Sequence, residues 1–364
     1  MDRNVYQSEL DRVRFTEAGK SALTDALMTG RAESEQRRGR GPWMKRGAIA
    51  ALAAVLLVGT AAAVTVSLWD GFFGGLDPSE QAVVDTLSGD LPGVVSSNGA
   101  VMTPQAAFGT DGVFYLMLEV EAPEGTVLPT QGEDWLYSLS SFDDPKNWAC
   151  LETAEGRRVE NLTYSLDLTC LEDSDPTDNK ITVVVEVLAD GDLTGLTVHI
   201  PGLWMWATDG TYTPLFTGEF TFPISEGMGE ESVMTLDVAG VTTETPWGSV
   251  VLETLELSPL GARWSYRIPP DTAQAAREEE QAAWEEPPAV VGVDEDGDTT
   301  AMEVTITPGA PLSAVLRDGT EVSVNDSFSG EEDGLQVCSG TFGIPLDLAQ
   351  VSYLLWGGTE IPLL

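Results

Sequence analysis

Arrangements of residues that could carry out catalysis are few in this chain of 364 residues. Its one histidine, His199, stands in the apolar stretch 196–200, so a Ser-His-Asp system would have to use it. The chain has no G-x-S-x-G elbow and no glycine-rich phosphate loop after a strand. A lone histidine in a strand is more often a packed or edge residue. We therefore predict no catalytic residue and no enzymatic activity.

The three cysteines, Cys150, Cys170 and Cys338, allow two interpretations. An oxidising exterior permits one disulfide, and Cys150 with Cys170 is the pair nearer in sequence. Alternatively, all three are buried free thiols. One histidine and three scattered cysteines lack the ligand spacing of a zinc site. The sequence thus predicts no metal and no cofactor.

Acidic clusters raise the alternative of calcium binding. An EF-hand loop that starts at Asp294 would need glycine and glutamate where Thr299 and Thr305 stand. We interpret the clusters as solvated turns, with weak calcium binding as the alternative. The acidic residues concerned are Asp294, Asp296 and Asp298, and in a second group Asp173, Asp175 and Asp178. Paired carboxylates of a hydrolase are not distinguishable among so many acids.

Trp204 and Trp206 would share one face of an extended segment. Such a pair can stack on sugar rings or insert into a partner, but it more often fills the core of a sandwich or an end of that core. We predict that both rings belong to the core.

The formal charge of -41 is distributed unevenly along the chain. Residues 1–46 carry a net charge of +3, residues 47–68 carry none, and residues 69–364 carry -44. Because phosphate neutralisation needs clustered lysine and arginine, the acidic part excludes a nucleic acid as partner.

The uncharged stretch 47–68 has the length of a transmembrane helix. As a helix its 22 residues would span roughly 33 Å, against a bilayer core of about 30 Å. Arginine and lysine precede it, so the positive-inside rule predicts a cytoplasmic N-terminus and extracellular C-terminal domains in the cell membrane. Trp43 on one side and Trp69, Phe72 and Phe73 on the other would lie at the two interfaces of the lipid bilayer. The alternatives are a cleaved signal peptide and a buried soluble helix, but a signal peptide has a shorter leader and a shorter apolar core.

The N-terminal part is predicted as a cytoplasmic helical head, 1–29, and a basic juxtamembrane linker, 30–46. Apolar residues recur there at helical spacing, and Thr16 can cap a second helix. A segment of this length cannot bury a large core by itself, and its apolar face therefore needs a partner. A helix lying on the membrane surface is the alternative. The predicted partner-binding face consists of Tyr6, Leu10, Val13, Phe15, Leu23 and Leu27.

The part after the membrane is predicted to be mainly β, with two extracellular β-sandwich (Ig-like) domains, 69–225 and 226–364. Asp77, Pro78 and Glu80 form the start of a short helix, after which apolar and alternating runs are separated by turn residues. The Asp-Gly of residues 317–320 favours a type I′ hairpin, and Gly357-Gly358 favours another hairpin. A capping box at Asp271 predicts a helical insertion, 271–286, in the second domain. Strands are predicted at 100–108, 113–121, 163–169, 181–188, 195–200, 219–224, 233–238, 249–257, 263–268, 301–307, 313–316, 321–324, 351–356 and 360–363.

The order of these parts resembles a family of single-pass membrane proteins of Gram-positive bacteria, which carry a domain of unknown function and an anti-sigma-factor-like cytoplasmic head. The resemblance begins in the head and continues through the basic linker and the apolar span. The head lacks the histidine and cysteine of zinc-type anti-sigma domains and is shorter than a complete helical one. Further stretches that carry the resemblance are 97–103, 111–115, 218–224, 257–261 and 316–320.

The resemblance implies a membrane-anchored regulatory protein: a signal transducer whose head holds a cytoplasmic sigma factor and whose external region senses an unknown extracellular ligand. The alternative is a surface-displayed extracellular binding module with no sigma-factor role. An external hydrolase is a third interpretation.

Overall fold

The computed structural model describes residues 69–129, 135–141, 144–171, 178–208, 210–225, 233–246, 248–272, 274, 310–332 and 335–363. These residues belong to one compact unit, 68–364. The predicted head, linker and apolar span lie outside them, as do most of the predicted helical insertion and the predicted strand 301–307. Within the described ranges no helix has the length and apolar character needed to cross a membrane.

The described fold is mainly β and consists of antiparallel sheets. The strands before residue 226 are β1 Val95–Ser97, β2 Ala100–Gly109, β3 Val113–Glu121, β4 Trp135–Ser138, β5 Cys150–Glu152, β6 Tyr164–Cys170, β7 Lys180–Ala189, β8 Thr197–Ala207 and β9 Tyr212–Pro223. They form one sheet in the order β1-β2-β3-β7-β6 and a second in which β8 pairs with β4, β5 and β9.

Two further sheets follow in the second half. Its strands are β10 Met234–Thr235, β11 Thr242–Thr245, β12 Gly248–Leu257, β13 Gly261–Arg267, β14 Leu312–Leu316, β15 Glu321–Ser323, β16 Asn325–Glu332, β17 Leu335–Thr341, β18 Val351–Trp356 and β19 Thr359–Pro362. One sheet has the order β10-β12-β13-β17-β16, with β11 also paired to β12, and the other has the order β15-β14-β18-β19.

The helix predicted after the apolar span is confirmed as α1, Pro78–Leu87. Asp77 is its N-cap, and both hydrogen bonds of the capping box to Glu80 are present. Pro78 occupies the first helical turn, where a backbone N–H has no partner within the helix. Two short 3₁₀ turns, Pro145–Asn147 and Leu348–Gln350, are each capped by the aspartate that precedes them.

The apolar residues form two large cores, one in each half. The first core draws side chains from both sheets of the first half, including Leu116 on β3, Val185 on β7 and Val198 on β8. The second core lies between the two sheets of the second half and includes Leu255 on β12 and Trp356 on β18. β3 and β7 are buried on both faces and appear in the sequence as apolar runs, whereas β9 alternates buried and exposed residues, and both patterns are recognisable in the sequence.

A third cluster joins the start of the described chain to both halves. Residues 69–73 are helical, and Trp69 is fully buried with its ring edge-on to Phe108 at 4.6 Å. Tyr115 and Leu260 belong to the same cluster. The prediction that the Trp69 ring anchors the chain in the lipid interface is therefore wrong, since the ring is buried within the protein against β2 and β3. Phe72 and Phe73 are half-buried in the same cluster.

Several local predictions need correction. Asp318 does not have a positive φ, as a type I′ turn would require, and only Gly319 is left-handed there, at φ 90°. Gly357 and Gly358 do both have positive φ, so the type I′ geometry is found in the hairpin between β18 and β19. The predicted strand 233–238 is reduced to the two residues of β10.

Candidate functional site

The structure places the lone histidine opposite a cysteine. Cys150 on β5 is the direct cross-strand partner of His199 on β8, and Glu152 follows two residues later on the same face of β5. The intervening Leu151, like Val198 and Ile200 beside His199, points into the first core. The polar side chains therefore project from the opposite face of the sheet.

Glu219 lies beside His199 on the other side of β8. Together with Cys150 and Glu152, these side chains form a row of polar residues on one face of the sheet. Thr221 on β9 pairs with His199, so Glu219, two residues before it, is a diagonal neighbour on the same face. Its Oε2 lies 2.8 Å from His199 Nε2. The ring's other nitrogen, Nδ1, lies 3.7 Å from Cys150 Sγ and 3.6 Å from Glu152 Oε1. The imidazole is thus held between β5 and β9 by partners on both edges.

A tight turn brings a basic residue back to this row. The Gly156 N–H donates to the Thr153 carbonyl, and the Thr153 N–H donates to the Arg157 carbonyl. Gly156 has φ 72°, a left-handed conformation that glycine adopts at little cost. As a result Arg158 pairs with Glu152 in an isolated bridge. Its guanidinium carbon lies 5.7 Å from the centre of the Trp148 ring.

These contacts change the acidity of both central groups. Burial by itself raises the pKa of the Cys150 thiol, but the hydrogen bonds and charges of His199 and Arg158 outweigh it, so the pKa lies below its ordinary value of 9.0. The Cys150 contact raises the pKa of His199 to about 9 against the effect of burial, with Glu219 and Glu152 adding to the rise. At neutral pH His199 is therefore an imidazolium beside a thiol that ionises easily.

The arrangement suits two kinds of chemistry. A thiol activated by an imidazole is a nucleophile, as in Cys-His systems, although Cys150 is only 4% exposed. The side chains of Cys150, Glu152 and His199 also present one sulfur, one oxygen and one nitrogen donor, all within 4.8 Å of one another. They are the residues of the described chain that could hold a metal ion.

Sequence reasoning missed this site. The sequence predicts that His199 is a packed or edge residue, which fits its side chain being 12% exposed, but it does not predict the partners of the imidazole. They are far apart in sequence, and β5 has only three residues, too few to show a periodic pattern. The register between β5 and β8, which is a long-range property, brings them together.

The other predicted sites have different outcomes. All three cysteines are free thiols, with Cys150 and Cys338 buried and Cys170 half-buried, so the alternative without a disulfide agrees with the structure. Trp204 is buried in accordance with the core prediction, whereas Trp206 is 42% exposed and stacks on Tyr212 near the end of β8. The core prediction for Trp206 is therefore wrong.

Two groups of predicted residues lie largely outside the described ranges. In the second acidic group only Asp178 is described, and its carboxylate accepts the Lys180 N–H, a turn contact. The remaining acidic residues fall outside, and so does the whole predicted partner-binding face, Tyr6, Leu10, Val13, Phe15, Leu23 and Leu27.

Comparison with known proteins gives one structural neighbour. No family model matches the chain, and no curated protein matches it. A solved structure described as the crystal structure of the conserved domain protein from Bacillus anthracis is similar, with 12% identity and a TM-score of 0.42. The similarity covers 73% of this chain and 75% of that one.

Proposed function

We propose that this protein is a membrane-anchored regulator that acts without catalysis. In this proposal residues 47–68 cross the cell membrane once, and the head, 1–29, binds a sigma factor in the cytoplasm. The acidic β-rich part forms two extracellular β-sandwich domains of immunoglobulin-like type that receive a signal. The charge distribution supports this topology, since basic residues precede the apolar span and acidic ones follow it. The sigma factor as partner rests on the family resemblance of the sequence.

The observation that carries the proposal is the packing of Trp69. This residue comes directly after the apolar span in sequence and is fully buried against Phe108 on β2. Its cluster also contains Leu260, between β12 and β13 of the second half. A displacement of either β region is therefore transmitted through close-packed side chains to the residue that follows the span, because packed interiors transmit strain.

Two experiments, both carried out with cells that produce this protein, test the proposal. The full-length chain, purified from its membrane, should bring a sigma factor with it, and a chain lacking residues 1–29 should not. Deleting residues 1–29 should also change transcription of the genes that the sigma factor controls. Well-expressed full-length protein that carries no sigma factor, together with unchanged transcription, would favour the alternative of a surface-displayed binding module.

The signalling part has its own test. Trp69→Ala removes a large buried ring and should alter the transcriptional response while the head still binds its partner. Trp206→Ala is the matched control, because that ring is partly exposed and lies outside the cluster. If Trp69→Ala and Trp206→Ala behaved alike in the transcriptional assay, the coupling through residue 69 would be refuted.

A further inference from the structure

Three different donor atoms lie close together on β5 and β8, near the spacing that a small cation requires. His199 Nδ1 lies 3.7 Å from Cys150 Sγ and 3.6 Å from Glu152 Oε1, and all three atoms lie within 4.8 Å of one another. In a tetrahedral zinc centre, with bonds of about 2.3 Å to sulfur and about 2.1 Å to nitrogen or oxygen, neighbouring donor atoms are roughly 3.4–3.6 Å apart. The side chains need only small movements to reach that spacing.

The identity of the donors selects the class of cation. Calcium and magnesium prefer oxygen ligands alone, whereas a thiolate with an imidazole favours zinc and similar borderline-soft divalent ions. We infer that Cys150, Glu152 and His199 form a binding site for a zinc-type divalent cation. Three protein ligands leave the fourth position of a tetrahedral ion open to water or to an external ligand.

Glu219 supports the site without reaching the cation. Its carboxylate accepts the hydrogen bond of His199 Nε2–H at 2.8 Å, which leaves Nδ1 as the nitrogen that faces the thiol and Glu152. A carboxylate in this position fixes both the orientation and the tautomer of a metal-binding imidazole. The backbone of β8 is hydrogen-bonded to β5 on one side and to β9 on the other, and this pairing fixes the position of the strand that carries the imidazole.

The surroundings allow a cation to enter. The Glu152 side chain is 20% exposed and that of Glu219 is 83% exposed, so the row opens to solvent beside the carboxylates. The net charge of -44 on residues 69–364 raises the local concentration of cations. Arg158 is the opposing charge: its guanidinium lies over the Trp148 ring and hydrogen-bonds to Cys150, and the cation has to replace that hydrogen bond. When the cation binds, Sγ and Nδ1 must both be deprotonated, so the protons that they carry at neutral pH are released to solvent.

Cobalt(II) titration of the reduced full-length chain tests this inference. Cobalt replaces zinc in such sites and gives a charge-transfer absorption when a thiolate is a ligand. We expect one equivalent to bind with that band, and zinc to displace it. Cys338→Ser and Cys170→Ser should keep the band, because they change thiols elsewhere, and Cys150→Ser should lose it. A wild-type chain without a thiolate band, or a band that Cys150→Ser retains, would overturn the site.

Further variants separate a bound cation from a simple thiol–imidazole pair. Glu219→Gln should weaken cobalt binding by about 10- to 100-fold. Arg158→Gln should strengthen it, whereas the adjacent Arg157→Gln should not, because Arg157 points to Glu155. If Glu219→Gln and Arg158→Gln left the affinity unchanged, neither side chain would act on the cation through His199 or Cys150, and the assignment would be wrong.

A protection assay on the unaltered site covers the case in which Cys150→Ser does not fold. In the double variant Cys170→Ser and Cys338→Ser the remaining thiol belongs to Cys150. Zinc should slow its alkylation in proportion to cobalt occupancy, and the absence of any protection would contradict the inference. Neither measurement depends on a sigma factor or a membrane response, so the site and the proposed function can fail separately.

Discussion

Cys150 and Cys338 show how differently two buried thiols of one chain can be tuned. Both lie on strands of antiparallel sheets, and their exposures are nearly the same, 4% and 6%. Cys150 faces His199 and the charge of Arg158, and its pKa lies below the ordinary value. Cys338 pairs with Trp264 across the sheet and has Tyr266 as its polar neighbour, and burial raises the pKa of this thiol to about 11. Burial raises the pKa of both thiols, and the neighbours His199 and Arg158 outweigh that effect only at Cys150, which makes Cys150 the more reactive thiol.

The largest expected effect is in alkylation by iodoacetamide at pH 8. Chains that retain only Cys150 or only Cys338 should differ by more than about 100-fold in thiolate fraction, because one pKa lies below 9.0 and the other near 11. Equal rates for the two folded chains, with equal rates also after unfolding, would show that the neighbours have no such influence.

The second effect concerns stability at alkaline pH. An unfolded Cys338 ionises near pH 9.0, whereas the folded thiol keeps its proton up to about pH 11. The contribution of the neutral Cys338 thiol to the free energy of unfolding is therefore complete below pH 9 and is lost as pH rises through 11. Between these values the free energy of unfolding of the wild type should fall by about 2 kcal/mol more than that of Cys338→Ala. Urea unfolding of both chains at each pH measures this difference, and parallel curves would contradict it.

The third effect isolates the histidine. His199→Gln keeps a hydrogen-bonding side chain but removes the charge, so the pKa of Cys150 should rise and alkylation at pH 8 should slow by about tenfold. The rate at Cys338 serves as the internal control and should not change. A pH–rate profile for Cys150 that stays the same in His199→Gln would assign the low pKa to another group.

The smallest effect belongs to Arg158. Its side chain is exposed, so solvent screens its charge, and Arg158→Gln should slow alkylation of Cys150 only about two- to fivefold. Arg157→Gln, which changes the neighbouring exposed charge, should have no effect. Added salt should reduce the difference between Arg158→Gln and the wild type, and a difference that does not respond to salt would not be electrostatic in origin.

The same comparison shows what the sequence can predict. The α1 helix is predictable because its capping box is local, and β2, β3 and β7 are predictable because their apolar runs and turns lie within short windows. The sequence also identifies His199 as a strand residue. Neither its pairing with Cys150 nor the diagonal position of Glu219 is a local property, since both depend on the registers of β5 and β9 against β8.

The buried position of Trp69 was missed for a related reason. An aromatic residue directly after an apolar span is typical of a membrane interface, and the sequence around it contains nothing that signals packing. Its contact with Phe108 depends on the fold of β2, 39 residues later in the chain. Long-range packing thus overrides a local pattern that in itself is a reasonable guide.

X-ray absorption at the zinc edge of the reduced full-length chain, loaded with one equivalent of zinc, shows which atoms bind the cation. We expect one sulfur neighbour together with nitrogen and oxygen neighbours, and we expect the sulfur to disappear in Cys150→Ser and to persist in Cys338→Ser. A first shell of oxygen alone, or a sulfur that disappears in Cys338→Ser instead, would contradict the claim that the neighbours of Cys150 make it the functional thiol.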